Sequence, residues 1–60
     1  MKDIERHESM ILRDKEGYII DTIWIVGDDT KAAAESEDGV IINFRSIGEA
    51  INYYSEQGYQ

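Results

Sequence analysis

Hydrophobic and polar residues follow a strand-like order in the first half of this chain. Residues 18–26 are rich in isoleucine, with Trp24 within the run. Because β-branched and aromatic residues are favoured in strands, this segment is predicted to be the central strand of a sheet. Residues 9–13 precede it across the turn-forming residues 14–17, which predicts a β-hairpin.

The end of the chain changes to the period of an amphipathic helix. Ser46 precedes Glu49 by three residues, which is the spacing of a capping box at a helix start. Apolar residues then recur on one helical face; they are Ile47, Ala50, Ile51 and Tyr54. Gly58 stands where a left-handed C-cap residue is expected, so the helix is predicted over about residues 47–57.

The segment between Gly27 and Gly39 permits two structures. Three consecutive alanines are good helix formers and favour a short helix over residues 30–37, capped by Asp29. Asp38 followed by Gly39 favours instead a type I′ hairpin turn, which would make the same segment an edge strand. We prefer a strand or an irregular loop.

Residues 40–44 show the alternation of a strand, with Val40, Ile42 and Phe44 on one side. Together these elements predict an α+β fold class. The expected architecture is a small antiparallel sheet of three strands, or four if the ambiguous segment pairs, with one C-terminal amphipathic helix packed on one face. The chain has no proline and shows no repeat or linker, so residues 1–60 are expected to form a single small domain.

The central strand is apolar on both of its sides, although one helix covers only one face of a small sheet. Alternation assigns Tyr18, Ile20, Trp24 and Val26 to one side and Ile19, Ile23 and Ile25 to the other. A chain of 60 residues buries a small core, and without cysteine it has no disulfide to support that core. The second face needs either the amino-terminal segment or another chain against it, and we predict a homodimer.

Charge limits the partners that this chain can take. The 6 Lys and Arg residues oppose 13 Asp and Glu residues, which gives a net charge of −7. Residues 1–15 carry four charges of each sign, so the whole excess lies beyond Lys15. Because this excess repels phosphate groups, no direct contact with DNA or RNA is expected. The same excess speeds encounters with basic protein surfaces.

The amino terminus and the apolar runs bear on the compartment. The first eight residues are mostly charged, unlike the apolar region of a signal peptide. The longest apolar run is interrupted by Asp21 and Thr22 and is far shorter than the roughly 20 residues that span a bilayer. We expect a cytoplasmic chain without a membrane segment.

Five carboxylates are crowded into residues 28–38; they are Asp28, Asp29, Glu35, Glu37 and Asp38. Their spacing does not match a calcium-binding loop, and a chain this small scarcely builds the cleft that a pair of catalytic carboxylates needs. The simplest interpretation is a solvated loop that caps a turn or a helix. As contact residues for a partner we predict these five together with Tyr53, which lies at the margin of the apolar stripe of the helix.

No residue pattern in this chain predicts catalysis, a metal site or a cofactor. His7 is the only histidine, no serine has a base placed beside it by a motif, and the glycines form no phosphate-binding loop. We therefore expect that the chain is not an enzyme. We expect it to be an acidic interaction module, a small bacterial or phage regulator that binds a basic protein. A stronger form of this hypothesis is a DNA mimic, with carboxylates at the spacing of phosphates. The alternative is an accessory or structural subunit that is stable only in a homo-oligomer or a larger assembly.

Overall fold

A computed structural model describes residues 5–60 of the chain as a four-stranded sheet with one helix. The elements are β1 (Arg6–Arg13), β2 (Ile19–Gly27), β3 (Ala32–Ser36), β4 (Ile41–Phe44) and α1 (Ile47–Ser55). Each strand pairs antiparallel with the next, so the sheet has the order β1-β2-β3-β4. The predicted α+β fold is confirmed, and the sheet has four strands. Among residues 5–60, no helix combines the length and the apolar character that crossing a bilayer requires.

The segment between Gly27 and Gly39 contains the strand β3. The alternative of a short helix over residues 30–37 is therefore wrong. Ala34 pairs with Ile25 of β2 on one side and with β4 on the other, and these two ladders outweigh the helix preference of alanine. Ala34 is 1% exposed, and its small side chain leaves room for α1, which contacts β3.

The hairpins β1–β2 and β3–β4 share one turn geometry. The Gly17 amide donates to the Asp14 carbonyl at 3.0 Å, and the Gly39 amide donates to the Ser36 carbonyl, also at 3.0 Å. Both glycines have a left-handed backbone, with φ of 93° and 83°. A type I′ turn requires positive φ at both central residues, but no described residue other than glycine has one. The type I′ turn predicted at Asp38 is therefore wrong, and a three-residue loop ending on a left-handed glycine replaces it.

The core lies between α1 and one face of the sheet. Its buried side chains come from three strands, from α1 and from the residues after it; they are Met10, Ile23, Ile25, Ala32, Ala34, Ile47, Ala50, Tyr54 and Tyr59. Leu12, Phe44 and Ile51 pack against its margin. Burial of a large apolar side chain contributes about 1.5–3 kcal/mol, so Ile25 and Ile47, each 1% exposed, are main contributors to stability.

The start of α1 is fixed by a capping box. The hydroxyl of Ser46 accepts a hydrogen bond from the Glu49 amide at 3.1 Å. The Glu49 carboxylate accepts in turn from the amide of Arg45, also at 3.1 Å. The predicted capping box is confirmed, with its return bond one residue before the cap. The Glu49 amide, which the helix itself leaves unpaired, is thereby satisfied, and so is the Arg45 amide just before the cap.

The end of α1 turns the chain back toward the sheet. The helix ends at Ser55 rather than at residue 57, and a turn leads to Gly58, whose φ is 99°. The Tyr59 amide donates to the Tyr54 carbonyl at 3.1 Å. The two rings pack edge to face with their centroids 5.3 Å apart. A left-handed glycine after the helix is therefore present where the sequence predicted it.

Tyr59 and Gln60 attach the segment after α1 to two strands. The Tyr59 hydroxyl donates a hydrogen bond to the Asp21 carboxylate on β2. Gln60 exchanges two backbone hydrogen bonds with Ile11 of β1, at 2.8 and 2.9 Å. The outer edge of β1 is therefore already engaged at Ile11.

Candidate functional site

The sheet has one face covered by α1 and one face on the opposite side, which we call the open face. Strand register places alternate side chains of neighbouring strands in cross-strand rows on this face. One row consists of Ser9, Trp24, Glu35 and Ile41, and the neighbouring row consists of His7, Val26, Ala33 and Asn43. Because β1 is a strand of the sheet, it does not lie across the open face as a cover.

A shallow groove of about 320 Å³ crosses the open face. The side chains of the open face that line it are His7, Trp24, Val26, Ala33, Glu35 and Ile41. Trp24 is 47% exposed and Ile41 is 59% exposed, so the two largest apolar side chains of the groove face solvent. Large apolar side chains that are exposed in one groove are a feature of binding surfaces.

Glu35 places a negative charge among these apolar side chains. It lies directly opposite Trp24 on β2 and opposite Ile41 on β4, and its side chain is exposed. Within residues 5–60, no ion pair involves Glu35. A carboxylate between an indole ring and an isoleucine can pair with a cationic group while the alkyl or planar part of that group packs on the apolar side chains.

No protein-family model matches this chain, and neither a curated protein nor a solved structure does. The function of this chain must therefore be inferred from the chemistry of the open face. Its groove can hold a ligand by apolar packing and by one ion pair. The ring nitrogen Nε2 of His7 lies 3.7 Å from the Glu5 carboxylate, and both side chains are exposed. In the described part of the chain, no three His, Cys, Asp or Glu side chains come together as a metal site.

Asp28, a predicted contact residue, holds the loop between β2 and β3. Its carboxylate accepts hydrogen bonds from the Thr30 amide at 2.7 Å, the Thr30 hydroxyl at 2.6 Å and the Lys31 amide at 3.1 Å. These bonds, the one from the Thr30 hydroxyl foremost, hold the pKa of Asp28 below its ordinary value. The Asp28 carbonyl also accepts from the Ile47 amide at 2.8 Å, so the same residue anchors the start of α1.

The other predicted acidic contacts occupy separate places. Asp29 is exposed in the β2–β3 loop, whereas Glu37 and Asp38 are exposed in the turn between β3 and β4. These two connections lie at opposite ends of β3, which has 5 residues, and a strand of that length spans roughly 17 Å. The five carboxylates therefore do not form one cluster, and of the five only Glu35 lies on the open face.

Tyr53, the predicted aromatic contact, lies on the side of the sheet covered by α1. Its side chain is 47% exposed, and its ring centroid is 5.4 Å from that of Phe44 on β4. Tyr53 therefore shields the margin of the core beside β4 and still offers half of its surface to solvent. The six predicted contact residues do not share one surface.

Trp24 and Ile41 are the two large apolar groove residues that the sequence interpretation did not select as contacts. Trp24 was assigned only to the second apolar side of the central strand. A signal was present, because alternation places Trp24 on the side of β2 opposite Ile23 and Ile25, and these two isoleucines are buried under α1. No comparable signal marked Ile41, whose place opposite Glu35 depends on the pairing of β3 with β4.

Proposed function

We propose that this chain is a non-catalytic acidic interaction module that binds a basic protein through the open face. The observation that carries the proposal is the position of Glu35, an exposed carboxylate without a cationic partner among the described residues, between Trp24 and Ile41. A cation seated there would gain an ion pair and a contact with the indole ring at once. Tryptophan is also among the residues that contribute most to binding in protein interfaces.

The proposed partner surface presents an arginine or lysine flanked by apolar side chains. Arginine fits best, because its planar guanidinium can stack on Trp24 while it pairs with Glu35. The carboxylates at the two ends of β3, Asp29 on one side and Glu37 with Asp38 on the other, add a negative field around the groove. Such a field raises the rate of encounter with a basic surface more than it raises the affinity.

In this proposal the chain acts in the cytoplasm as a small bacterial or phage regulator, and it does so as a homodimer. A regulator of this kind would block a basic protein or dock on it. The stronger hypothesis of a DNA mimic finds less support on the open face. Its two central rows carry one carboxylate, Glu35, where a mimic needs several at phosphate-like spacing.

The second candidate function is an accessory or structural subunit of a larger assembly. It is favoured by apolar side chains that are exposed outside the groove: Tyr18 is 68% exposed, Ile19 52% and Ile20 58%. These three lie at the far end of the β1–β2 hairpin, beyond the part of β2 that pairs with β3. An assembly contact through this apolar end would persist at high salt, whereas an ion-pair contact at Glu35 would weaken.

Affinity capture from a lysate at low and high salt tests the proposal. The immobilised proteins are the wild type, Glu35→Gln and Trp24→Ala, with Glu16→Gln and Tyr18→Ala as matched controls outside the groove. We expect a basic protein to be retained at low salt by the wild type and both controls, and to be lost from both groove variants. Capture that survives high salt and is lost only from Tyr18→Ala would replace the proposal by the assembly-subunit alternative.

A further inference from the structure

We propose that two copies of this chain pair antiparallel through the outer edges of their β4 strands, centred on Ile42, to form one eight-stranded sheet. This inference deepens the homodimer of the proposed function and rests on it. It does not depend on the basic partner, because the edge pairs through backbone groups of β4, whereas the groove around Glu35 binds through side chains. Ile41 contributes its side chain to the groove and its backbone to the edge. The occupant of the edge is a second copy, as the edge, the register, the apolar margins and the charges indicate.

The two edges of the sheet differ in how they are protected. At the β1 edge, the backbone amide and carbonyl of Ile11 are already hydrogen-bonded to Gln60. At the β4 edge, no backbone hydrogen bond from residues 5–60 reaches the outer side of the strand. Val40 and Ile41 there are 57% and 59% exposed. Natural proteins usually blunt such an edge with charge, proline or a bulge, and residues 40–44 contain no charge and no proline.

The backbone of β4 selects one register for self-pairing. The Val40 carbonyl accepts from the Ser36 amide of β3 at 3.0 Å. Because backbone groups alternate in direction along a strand, those of Ile42 also face β3, whereas those of Ile41 and Asn43 face outward. A two-fold pairing centred on Ile42 places Ile41 of each copy opposite Asn43 of the other. Four backbone hydrogen bonds form in this way, two on each side of the axis.

The neighbouring registers lack free donors. Centring on Ile41 would pair Asn43 with Gly39, whose amide already donates to the Ser36 carbonyl at 3.0 Å. Centring on Asn43 would pair Ile41 with Arg45, whose amide already donates to the Glu49 carboxylate at 3.1 Å. The register centred on Ile42 uses only groups that are unoccupied within the described residues.

The same register joins the apolar margins of the two cores. Val40 of each copy comes to lie opposite Phe44 of the other, on the side of the sheet covered by α1. Phe44 already packs against Tyr53, with ring centroids 5.4 Å apart. Val40 and Tyr53, 57% and 47% exposed in the single chain, would be shielded by the second copy. Ile42, which is 39% exposed, would meet its own symmetry mate.

Charge at the two ends of β4 is self-complementary. The strand is preceded by the acidic turn residues Glu37 and Asp38 and is followed by Arg45. Antiparallel pairing centred on Ile42 brings Arg45 of each copy opposite Gly39 of the other, beside Asp38. Two oppositely charged contacts therefore form across the axis, and this complementarity identifies a second copy as the occupant.

Cysteine cross-linking of the otherwise cysteine-free chain tests the register. An Ile42→Cys variant would place two thiols across a non-hydrogen-bonded pair, where Cα atoms lie about 4.5 Å apart, within the range of a disulfide. Ile41→Cys and Ile20→Cys are the matched controls, since both replace an exposed isoleucine. We expect mild oxidation to convert the Ile42→Cys protein to a covalent dimer at least tenfold faster than either control. Equal or faster cross-linking of a control would overturn the proposal.

A charge exchange tests the same interface without cysteine. Light scattering of the purified wild type should give twice the chain mass of 6.9 kDa. Arg45→Glu should weaken the dimer by about tenfold, as expected for two exposed pairs turned repulsive, and adding Asp38→Lys should restore it. Glu35→Gln should leave the dimer unchanged, which separates this test from the partner-binding test. A monomeric wild type, or a double variant no stronger than Arg45→Glu alone, would contradict the interface.

Discussion

The Tyr59 hydroxyl donates a hydrogen bond to the Asp21 carboxylate, which joins the residue after the helix turn to the central strand of the sheet. Tyr59 is 8% exposed and also packs edge to face against the ring of Tyr54. This bond spans 38 residues of sequence. It therefore links the C-terminal helix to the β1–β2 hairpin by a polar contact in addition to apolar packing.

The bond predicts a loss of stability in alkali. The hydrogen bond to Asp21, together with burial, raises the pKa of Tyr59 from its ordinary 10.0 to about 12. The pKa of Tyr59 is higher in the folded than in the unfolded chain. The contribution of its hydrogen bond to stability is therefore complete below pH 10.0 and is lost as the pH rises toward about 12. Tyr59→Phe should be less stable than the wild type by about 1 kcal/mol near neutral pH.

Urea denaturation of both proteins across this pH range is the measurement. The pKa of Tyr54 is also raised by burial, but Tyr54 is present in both proteins, so their difference isolates Tyr59. We expect the stability difference to shrink as the pH approaches 12. A difference that stays constant from neutral to strongly alkaline pH would show that the hydroxyl makes no protonation-linked contribution.

The close approach at Gly27 predicts opposite effects for two glycine substitutions. A Cβ atom on Gly27 would collide with the Lys31 carbonyl oxygen and the Ala32 Cα, both of which are backbone atoms. Gly27→Ala should therefore destabilise the fold by about 2–3 kcal/mol. Gly48 in α1 has only the Ser46 hydroxyl within reach, at 3.8 Å, so Gly48→Ala should stabilise by about 0.5 kcal/mol. Equal midpoints of urea denaturation for the two variants would refute the close approach.

The hydrogen bonds of Asp28 predict a loss of stability in acid. These bonds hold the pKa of Asp28 below its ordinary value of 3.8. Their contribution to the stability of the fold is therefore present above pH 3.8 and is lost as the pH falls below it. Asp28→Ala should lower the thermal midpoint at neutral pH, whereas Asp29→Ala, one residue along in the same loop, should not. The difference between the two variants should narrow in acid. A larger drop in the thermal midpoint for Asp29→Ala than for Asp28→Ala would show that Asp28 does not hold the loop.

Much of the fold could be predicted because its signals are local. The capping box at Ser46 locates the start of α1, and the apolar run around Trp24 locates β2. β1 is longer than predicted, since it begins at Arg6 rather than at residue 9. Its polar first residues carry no strand pattern and are held by pairing with the end of β2.

The open face could be predicted less well because it depends on pairing between distant strands. Asp28 and Asp38 are near in sequence, but the extended β3 separates the loops that contain them. The position of Glu35 between Trp24 and Ile41 follows from two strand registers, which no local pattern specifies. The alanines of β3 favour a helix by their local preference, but pairing with β2 and β4 imposes the strand conformation.

The most direct test of the central claim uses Trp24, the only tryptophan of the chain, as a fluorescent reporter of the open face. The probe is a short peptide of alternating arginine and isoleucine, and the control is its counterpart with glutamate in place of arginine. We predict saturable binding of the basic peptide, weakened about tenfold by Glu35→Gln at low salt, and no binding of the acidic one. Equal affinity of the wild type and Glu35→Gln for the basic peptide, or an unchanged Trp24 signal, would contradict the account.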